Sequence, residues 1–211
     1  MTDSMPKRYF TRSFASPVGQ LSLIASDAGL AAILWENDKP GRVPLASAVA
    51  NVTPDGGGRD GSGPYGGTHN DHPILVEAER QLGEYFAGTR TGFDLPLDPL
   101  GTDFQRRVWR ALLTIPYGQT RSYADIARQI GSPAAVRAVG AANGRNPISI
   151  VTPCHRVIGS TGQLTGFAGG LETKAYLLNL ESPQRGLMPP DGPARSRGST
   201  PGRGSLKGSY A

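Results

Sequence analysis

Cysteine is nearly absent from this 211-residue chain: there is one, Cys154, beside three histidines. A lone cysteine excludes an internal disulfide and a structural zinc site built from several thiolates. Long hydrophobic runs are missing too. No stretch approaches the ~20 consecutive apolar residues of a membrane span, and Met1 to Phe10 lack the apolar run of a signal peptide. A cytoplasmic protein with a free thiol and no membrane association is therefore expected. The length accommodates one full domain or two small ones. The formal net charge is +5, and it is unevenly spread. Residues 183–211 carry Arg185, Arg195, Arg197, Arg203 and Lys207 against Asp191. Residues 103–156 carry Arg106, Arg107, Arg110, Arg121, Arg128, Arg137, Arg145 and Arg156 against only Asp103 and Asp125. Every cation in that second cluster is arginine, whose planar fork of donors suits phosphate oxygens. Charge runs are usually solvated surface. This one surrounds the only cysteine, which favours a nucleic-acid partner.

Residues 9–36 alternate apolar and polar side chains between turn signals. Leu21, Leu23 and Ala25 alternate, Asp27-Ala28-Gly29 turns the chain, and Leu30 to Trp35 is apolar, so a β-hairpin is expected. Residues 38–71 contain two glycine-rich stretches, which cannot build a core and read as a flexible insert. Leu75, Ala78, Leu82 and Phe86 recur at helical spacing up to a stop at Gly88. Residues 1–95 thus form an N-terminal sheet-plus-helix domain carrying the insert, and residues 96–182 a helical second domain. In the latter, Phe104, Val108, Ala111 and Leu112 share a helix face that ends at Pro116-Tyr117-Gly118. Ser122 and Asp125 fit a capping box, opening a helix to about Ile130. Gly131 breaks it. Ser132 caps the next helix, which begins at Pro133 and runs to about Asn143. Two short helices joined by Gly-Ser match either a helix-turn-helix or an ordinary helical hairpin. The second helix carries Ala134, Ala135, Ala138, Ala141 and Ala142, with Arg137 as its one long cation. Small side chains allow close approach to a surface, and base-reading groups are few. Backbone or minor-groove contact fits this helix better than major-groove reading. Residues 183–211, rich in Gly, Pro, Ser and Arg, read as a disordered basic tail.

Ile148 to Val151 is a short apolar run, expected as a buried strand end. Pro153, Cys154, His155, Arg156 and Val157 follow it. The thiolate is the reactive form of cysteine, and neighbouring His or Arg cations lower its pKa. A lone cysteine is most often a small buried hydrophobe. One flanked by Pro, His and Arg is better read as an activated nucleophile. Residue chemistry alone leaves several reactions open. A cysteine hydrolase needs a histidine base and an oxyanion hole, and the other two histidines, His69 and His72, lie in or beside the insert.

Over residues 85–181 the order of motifs is specific. Pro153-Cys154-His155-Arg156-Val157 is followed by Gly166-Phe167-Ala168-Gly169-Gly170 and Lys174. Upstream stand Phe104-Gln105, Ile115-Pro116-Tyr117-Gly118, Ser122-Tyr123, Ala135-Val136-Arg137-Ala138-Val139-Gly140 and Asn146-Pro147. This arrangement resembles the active-site region of the O6-alkylguanine-DNA alkyltransferases; the first domain resembles theirs only loosely. The resemblance implies an α+β fold. It comprises a small ribonuclease-H-like β-sheet N-terminal domain and a helical C-terminal domain with a winged helix-turn-helix DNA-binding motif. It also implies double-stranded DNA containing O6-alkylguanine as the partner, with the damaged base flipped out of the stack. The implied reaction is irreversible, single-turnover transfer of the alkyl group from O6-alkylguanine, or O4-alkylthymine, to Cys154, by a monomer without a cofactor. By the same resemblance His155 is the base that takes the thiol proton through a water, and Glu181 orients that histidine. Asn146 organises the active-site turn. Tyr123 helps rotate the nucleotide and protonates the leaving guanine, and Arg137 fills the gap in the base stack. Ser122, Ala135, Arg145, Phe167 and Ala168 complete the expected DNA and base contacts.

Plainer readings stand beside these. Glu181 fits a solvated helix end, Asn146 a common turn, Tyr123 a core position, and Arg145 and Arg156 simple surface charges. Phe167 and Ala168 replace a tyrosine and a serine frequent in the family, so a phenol and a hydroxyl are lost from the base pocket. Some relatives hold zinc through cysteines in the first domain; this chain has none there, so no metal is expected. Two alternatives to the transfer reaction are a lesion-binding alkyltransferase-like protein and a cysteine hydrolase. The retained Cys154 argues against the first, and the lack of a separate histidine against the second.

Overall fold

The computed structural model describes residues 7–45 and 71–182. The glycine-rich stretches of the expected insert and the tail 183–211 lie outside the described residues. The alternation over residues 9–36 yields three strands rather than a single hairpin. β1 (Tyr9–Ser16), β2 (Gly19–Ser26) and β3 (Gly29–Trp35) form an antiparallel sheet in that order. The turn expected at Asp27 joins β2 to β3, where Ser26 pairs with Gly29. A second tight turn pairs Ser16 with Gly19 and brings in β1.

Both faces of this sheet are apolar, and a sheet must bury each such face against something. On one side Leu21, Leu23, Ala25 and Ile33 pack with Leu75, Ala78, Leu82 and Tyr85 of α1 (Pro73–Ala87). On the other, Ile24, Ala31 and Ala32 pack with Val43 and Leu45. The reading of a flexible insert from residue 38 is therefore corrected over 38–45. That segment is the cover for the second face, and Arg42 within it is tied to Asp38. α1 ends as the sequence foretold. Gly88 takes the left-handed conformation at φ 74° and its N–H donates to Tyr85 O.

The second half begins at α2 (Asp103–Leu112), opened by a capping box between Thr102 and Gln105. α3 (Tyr123–Gln129) opens on the expected Ser122–Asp125 capping box. Gly131, at φ 70°, then turns the chain. The next helix differs from expectation. Pro133–Ala135 forms a 3₁₀ turn, and α4 runs only from Val136 to Gly144. Ser132, at φ −135° and ψ 61°, makes no side-chain cap. Its backbone is not in the extended conformation that aims a capping oxygen at the helix N–H groups. Trp109 Nε1 donates to Ala142 O at 2.9 Å and fastens α2 to α4. β4 (Arg121–Ser122) and β5 (Val157–Ile158) form a short parallel ladder beside the helix pair. α5 (Gly170–Leu180) is the last helix among the described residues.

Residues 148–151 are buried, but as a turn rather than a strand. Ile148 makes a single bridge to Ile33, and Ile150 sits at φ 76°. A β-branched residue in that region is costly and persists only where its surroundings hold it. Here Ile148, Ile150, Val151, Leu177 and Leu180 belong to the same core as Leu21, Leu23 and Leu82. Residues of the helical half thus complete the core of the sheet in this mixed α+β protein, while α2, α3 and α4 pack around a second core with Val108, Ile126 and Val139.

Candidate active site

Cys154 opens a 3₁₀ turn, Cys154–Arg156, directly after Pro153. With about three residues per turn, successive side chains leave in different directions. Cys154 enters the core with Ile115, Val139 and Val157, and only 3% of its surface is exposed. His155 and Arg156 both meet Glu181, the residue that ends α5.

Glu181 is the hub of the site. Its Oε1 lies 2.8 Å from His155 Nε2, accepts from Tyr85 Oη at 2.7 Å, and accepts from Arg156 Nη2 at 2.9 Å. Its Oε2 accepts from Arg156 Nε at 2.7 Å and from Gly118 N at 3.3 Å. Burial alone would raise this carboxyl. The His155 and Arg156 hydrogen bonds outweigh it and hold the pKa at about 2. Glu181 is therefore a buried anion facing one permanent cation, Arg156. Arg156 also donates to Ile115 O at 2.7 Å and lies over the Tyr117 ring. Its reading as a surface charge, and its place in a DNA-facing cluster, are corrected. A buried guanidinium needs a carboxylate partner, and here that partner is 25 positions away.

Burial holds His155 below its usual range, against the opposing pull of Glu181. The ring is neutral at neutral pH. With Nε2 engaged by Glu181, the buried Nδ1 has no hydrogen-bond partner among the described residues. That nitrogen is a free base. Burial also pushes the Cys154 thiol up; the Asn146 and Ser149 side chains and the charges of Arg42 and Lys174 oppose this without reversing it. The expectation that His155 and Arg156 lower the thiol is corrected as well. Histidine is uncharged here, and arginine spends its charge on Glu181. The thiol is protonated at rest.

Asn146 braces the turn that leads to the thiol. Its Oδ1 accepts from Ile148 N at 3.1 Å and its Nδ2 donates to Thr152 O at 2.8 Å. Tyr123 and Phe167 pack against the cluster that holds Cys154. Tyr123 Oη donates to Thr165 O at 3.4 Å and accepts from Thr165 Oγ1 at 3.2 Å. Phe167 meets Trp35 edge-on at 5.4 Å, and Ala168 lies half-buried beside it. Ser122 is occupied as a helix cap, and Ala135 lies on the 3₁₀ turn. Arg137 and Arg145 are exposed on α4 and at its end. The structure thus gathers Cys154, His155, Glu181 and Asn146 into one centre, flanked by Tyr123, Phe167 and Ala168, with the α4 arginines outside it.

Several members of this centre had no role assigned to them from the sequence. Tyr85 is one. Lys174 is another: fully buried, it donates to Val157 O at 2.6 Å and Thr165 O at 2.7 Å, and burial lowers its pKa to about 8. Trp35 and Arg42 are contributed by the first half. The tyrosine at the last full turn of an amphipathic helix, where a polar tip needs a partner, was the one readable signal among them. Among the described residues no group of three or more His, Cys, Asp or Glu side chains is placed to hold a metal ion. No helix there is long and apolar enough to cross a membrane.

Comparison with known proteins follows the same division of the chain. A family model described as 6-O-methylguanine DNA methyltransferase, ribonuclease-like domain, matches residues 9–99. One described as 6-O-methylguanine DNA methyltransferase, DNA binding domain, matches residues 103–183. A Mycobacterium tuberculosis (strain H37Rv) protein named methylated-DNA–protein-cysteine methyltransferase is 48% identical over 172 residues, spanning 81% of this chain and 90% of its own. A constitutive protein of that name from Bacillus subtilis (strain 168) is 60% identical over 114 residues, spanning 54% and 69%. The crystal structure of Mycobacterium tuberculosis OGT in complex with DNA matches with a TM-score of 0.65 at 46% identity, covering 82% of this chain and 92% of that one. With models of that family matching both halves and a relative aligned over most of its length, the chain belongs to the 6-O-methylguanine DNA methyltransferase family.

Proposed function

We propose that the protein repairs duplex DNA by moving the alkyl group of O6-alkylguanine, and of O4-alkylthymine, onto Cys154. The observation that carries this reading is the buried contact of His155 Nε2 with Glu181 at 2.8 Å, beside a free Nδ1 and a protonated thiol. Glu181 accepts the Nε2 proton and so fixes the tautomer with a lone pair on Nδ1. That lone pair takes the thiol proton, relayed by a water. The thiolate sulfur attacks the alkyl carbon, a carbon–sulfur bond forms, and the bond from that carbon to guanine O6 breaks. Tyr123 protonates the leaving base, so the thiol proton ends, in net terms, on the guanine. The product is a thioether, which has no leaving group for a return step; each molecule reacts once. Neutral His155 suits this role, because a base must be unprotonated to act. Arg137, exposed on an alanine-rich helix, occupies the space left by the flipped nucleotide.

Intact-mass measurement after incubation with duplex DNA bearing O6-methylguanine tests the reading. One methyl per molecule, mapped to Cys154 and missing from Cys154→Ala, is expected. No adduct, or many base repairs per molecule, would sink it.

A further inference from the structure

Arg42 lies after β3, in the segment that covers the second face of the sheet, and only 6% of its side chain is exposed. It is built in from both sides. Nε and Nη2 donate to Asp38, and Nη2 reaches Ile33 O at 3.4 Å. Nη1 crosses to the other half of the protein and donates to Asn146 O, 104 positions away. Asn146 opens the buried turn that leads to Cys154, and its own side chain is spent bracing that turn at Ile148 N and Thr152 O. Ile33 N, beside the same guanidinium, holds the next carbonyl, Pro147 O, at 2.8 Å. The turn between these anchors and the thiol contains Ile150 in its costly left-handed conformation. Such a conformation needs fixed ends.

The charge of Arg42 matters as well as its hydrogen bonds. The groups acting on the thiol are few: Arg42 from the first half, Lys174 from α5, and Asn146 and Ser149 as polar neighbours. His155 on the adjoining turn is neutral, and Glu181 is matched by Arg156. Asp38 is the carboxylate that partly offsets Arg42.

We propose that Arg42 is a positioning residue for the acceptor thiol, clamping the Asn146 end of the active-site turn and lending a cation from the sheet domain to Cys154. The proposal rests on the reading of Cys154 as the acceptor. It makes the sheet half part of the reactive machinery rather than a support for it.

The single cysteine allows a direct test on the full chain: ultraviolet thiolate absorbance, less that of the matching Cys154→Ala chain to cancel the tyrosinates, reports Cys154 alone. In Arg42→Met the thiol should titrate at higher pH than in the parent, and single-turnover methyl transfer should slow about tenfold or more. Arg42→Lys keeps the cation and loses the fork. It should keep a near-parental titration while restoring only part of the rate. Asp38→Asn removes the offsetting carboxylate and should move the thiol titration down. This variant decides the question if Arg42→Met does not fold. A folded Arg42→Met with parental titration and rate would overturn the proposal, as would an unmoved titration in Asp38→Asn. If the parent itself takes up no methyl group, the acceptor reading fails separately, and the titrations still judge Arg42.

Discussion

Four residues meeting one carboxylate, His155, Tyr85, Arg156 and Gly118, make Glu181 the residue with most to lose. Glu181→Gln keeps the shape but leaves Arg156 buried without a counter-charge and presents an amide to His155. The expected cost is about 3 kcal/mol of stability, the usual consequence of breaking a buried pair. Transfer should slow about a hundredfold or more, because His155 loses its fixed tautomer. Denaturant unfolding and single-turnover kinetics read the two effects; a variant stable and fast would remove Glu181 from the hub. Tyr85→Phe is the milder case. It removes one of the bonds to Oε1 and should cost about 1 kcal/mol, with the rate close to parental because the His155 and Arg156 contacts remain. Cys154 and His155 were legible because their chemistry is written in adjacent letters, and Glu181 and Asn146 because a family pattern extends to them. Arg156 was misread for a plain reason. Burial of a cation depends on a carboxylate far off in the chain, and no local pattern records it. Arg42 and Lys174 are tied down otherwise: Arg42 pairs with nearby Asp38 but also reaches Asn146 O in the other half, and Lys174 donates to the carbonyls of Val157 and Thr165.

α1 ends and α3 begins where the sequence marks them, because left-handed glycines and caps act within a few residues, whereas α2 ends at Leu112, short of the Pro116-Tyr117-Gly118 stop. Their failure point was Ser132, where the right residue type stands in the wrong backbone geometry. The Pro116-Tyr117-Gly118 stop proved more than punctuation. Gly118 is at φ 74°, and a Cβ there would lie 2.7 Å from Glu181 O, while its N–H donates to Glu181 Oε2. Gly118→Ala should therefore destabilise by about 1–3 kcal/mol and slow transfer by moving the carboxylate. An alanine variant with parental melting and kinetics would show that this loop does not set Glu181. On α4, Arg137→Ala should weaken repair of duplex DNA and leave reaction with a free alkylated base near normal. Equal loss on both substrates would count against a role in the base stack.

A sheet core completed by residues of the helical half couples the stability of the two halves, and its pH dependence follows from the buried groups. His155 is held below its ordinary value of 6.5, so below that pH the unfolded chain takes a proton that the folded one refuses. Stability falls on acidification from there. Glu181 adds a second loss as pH drops from 4.5 toward about 2. At the alkaline end the buried Cys154, raised above 9.0, works the other way: its contribution disappears as pH climbs past that value. Thermal unfolding followed from neutral pH down to 4.5 should show a steadily lower midpoint, with both halves melting together; a flat profile, or two separate transitions, contradicts this account. The sharing was not legible beforehand, since apolar residues at 148–151 and 177–180 signal burial but do not say against what.

That jointly built core also orders the protein's birth. A chain leaving the ribosome offers Leu21, Leu23 and Leu82 long before Ile148, Leu177 and Leu180, which complete their packing. Folding units normally form as they emerge, but here the sheet lacks its closing side chains until almost the last residue of α5 has been made. Glu181 follows at once, one residue beyond α5. The growing chain therefore carries Cys154 and His155 without Glu181 until α5 has been made, so the core of the sheet and the contacts of the site are completed by the same stretch.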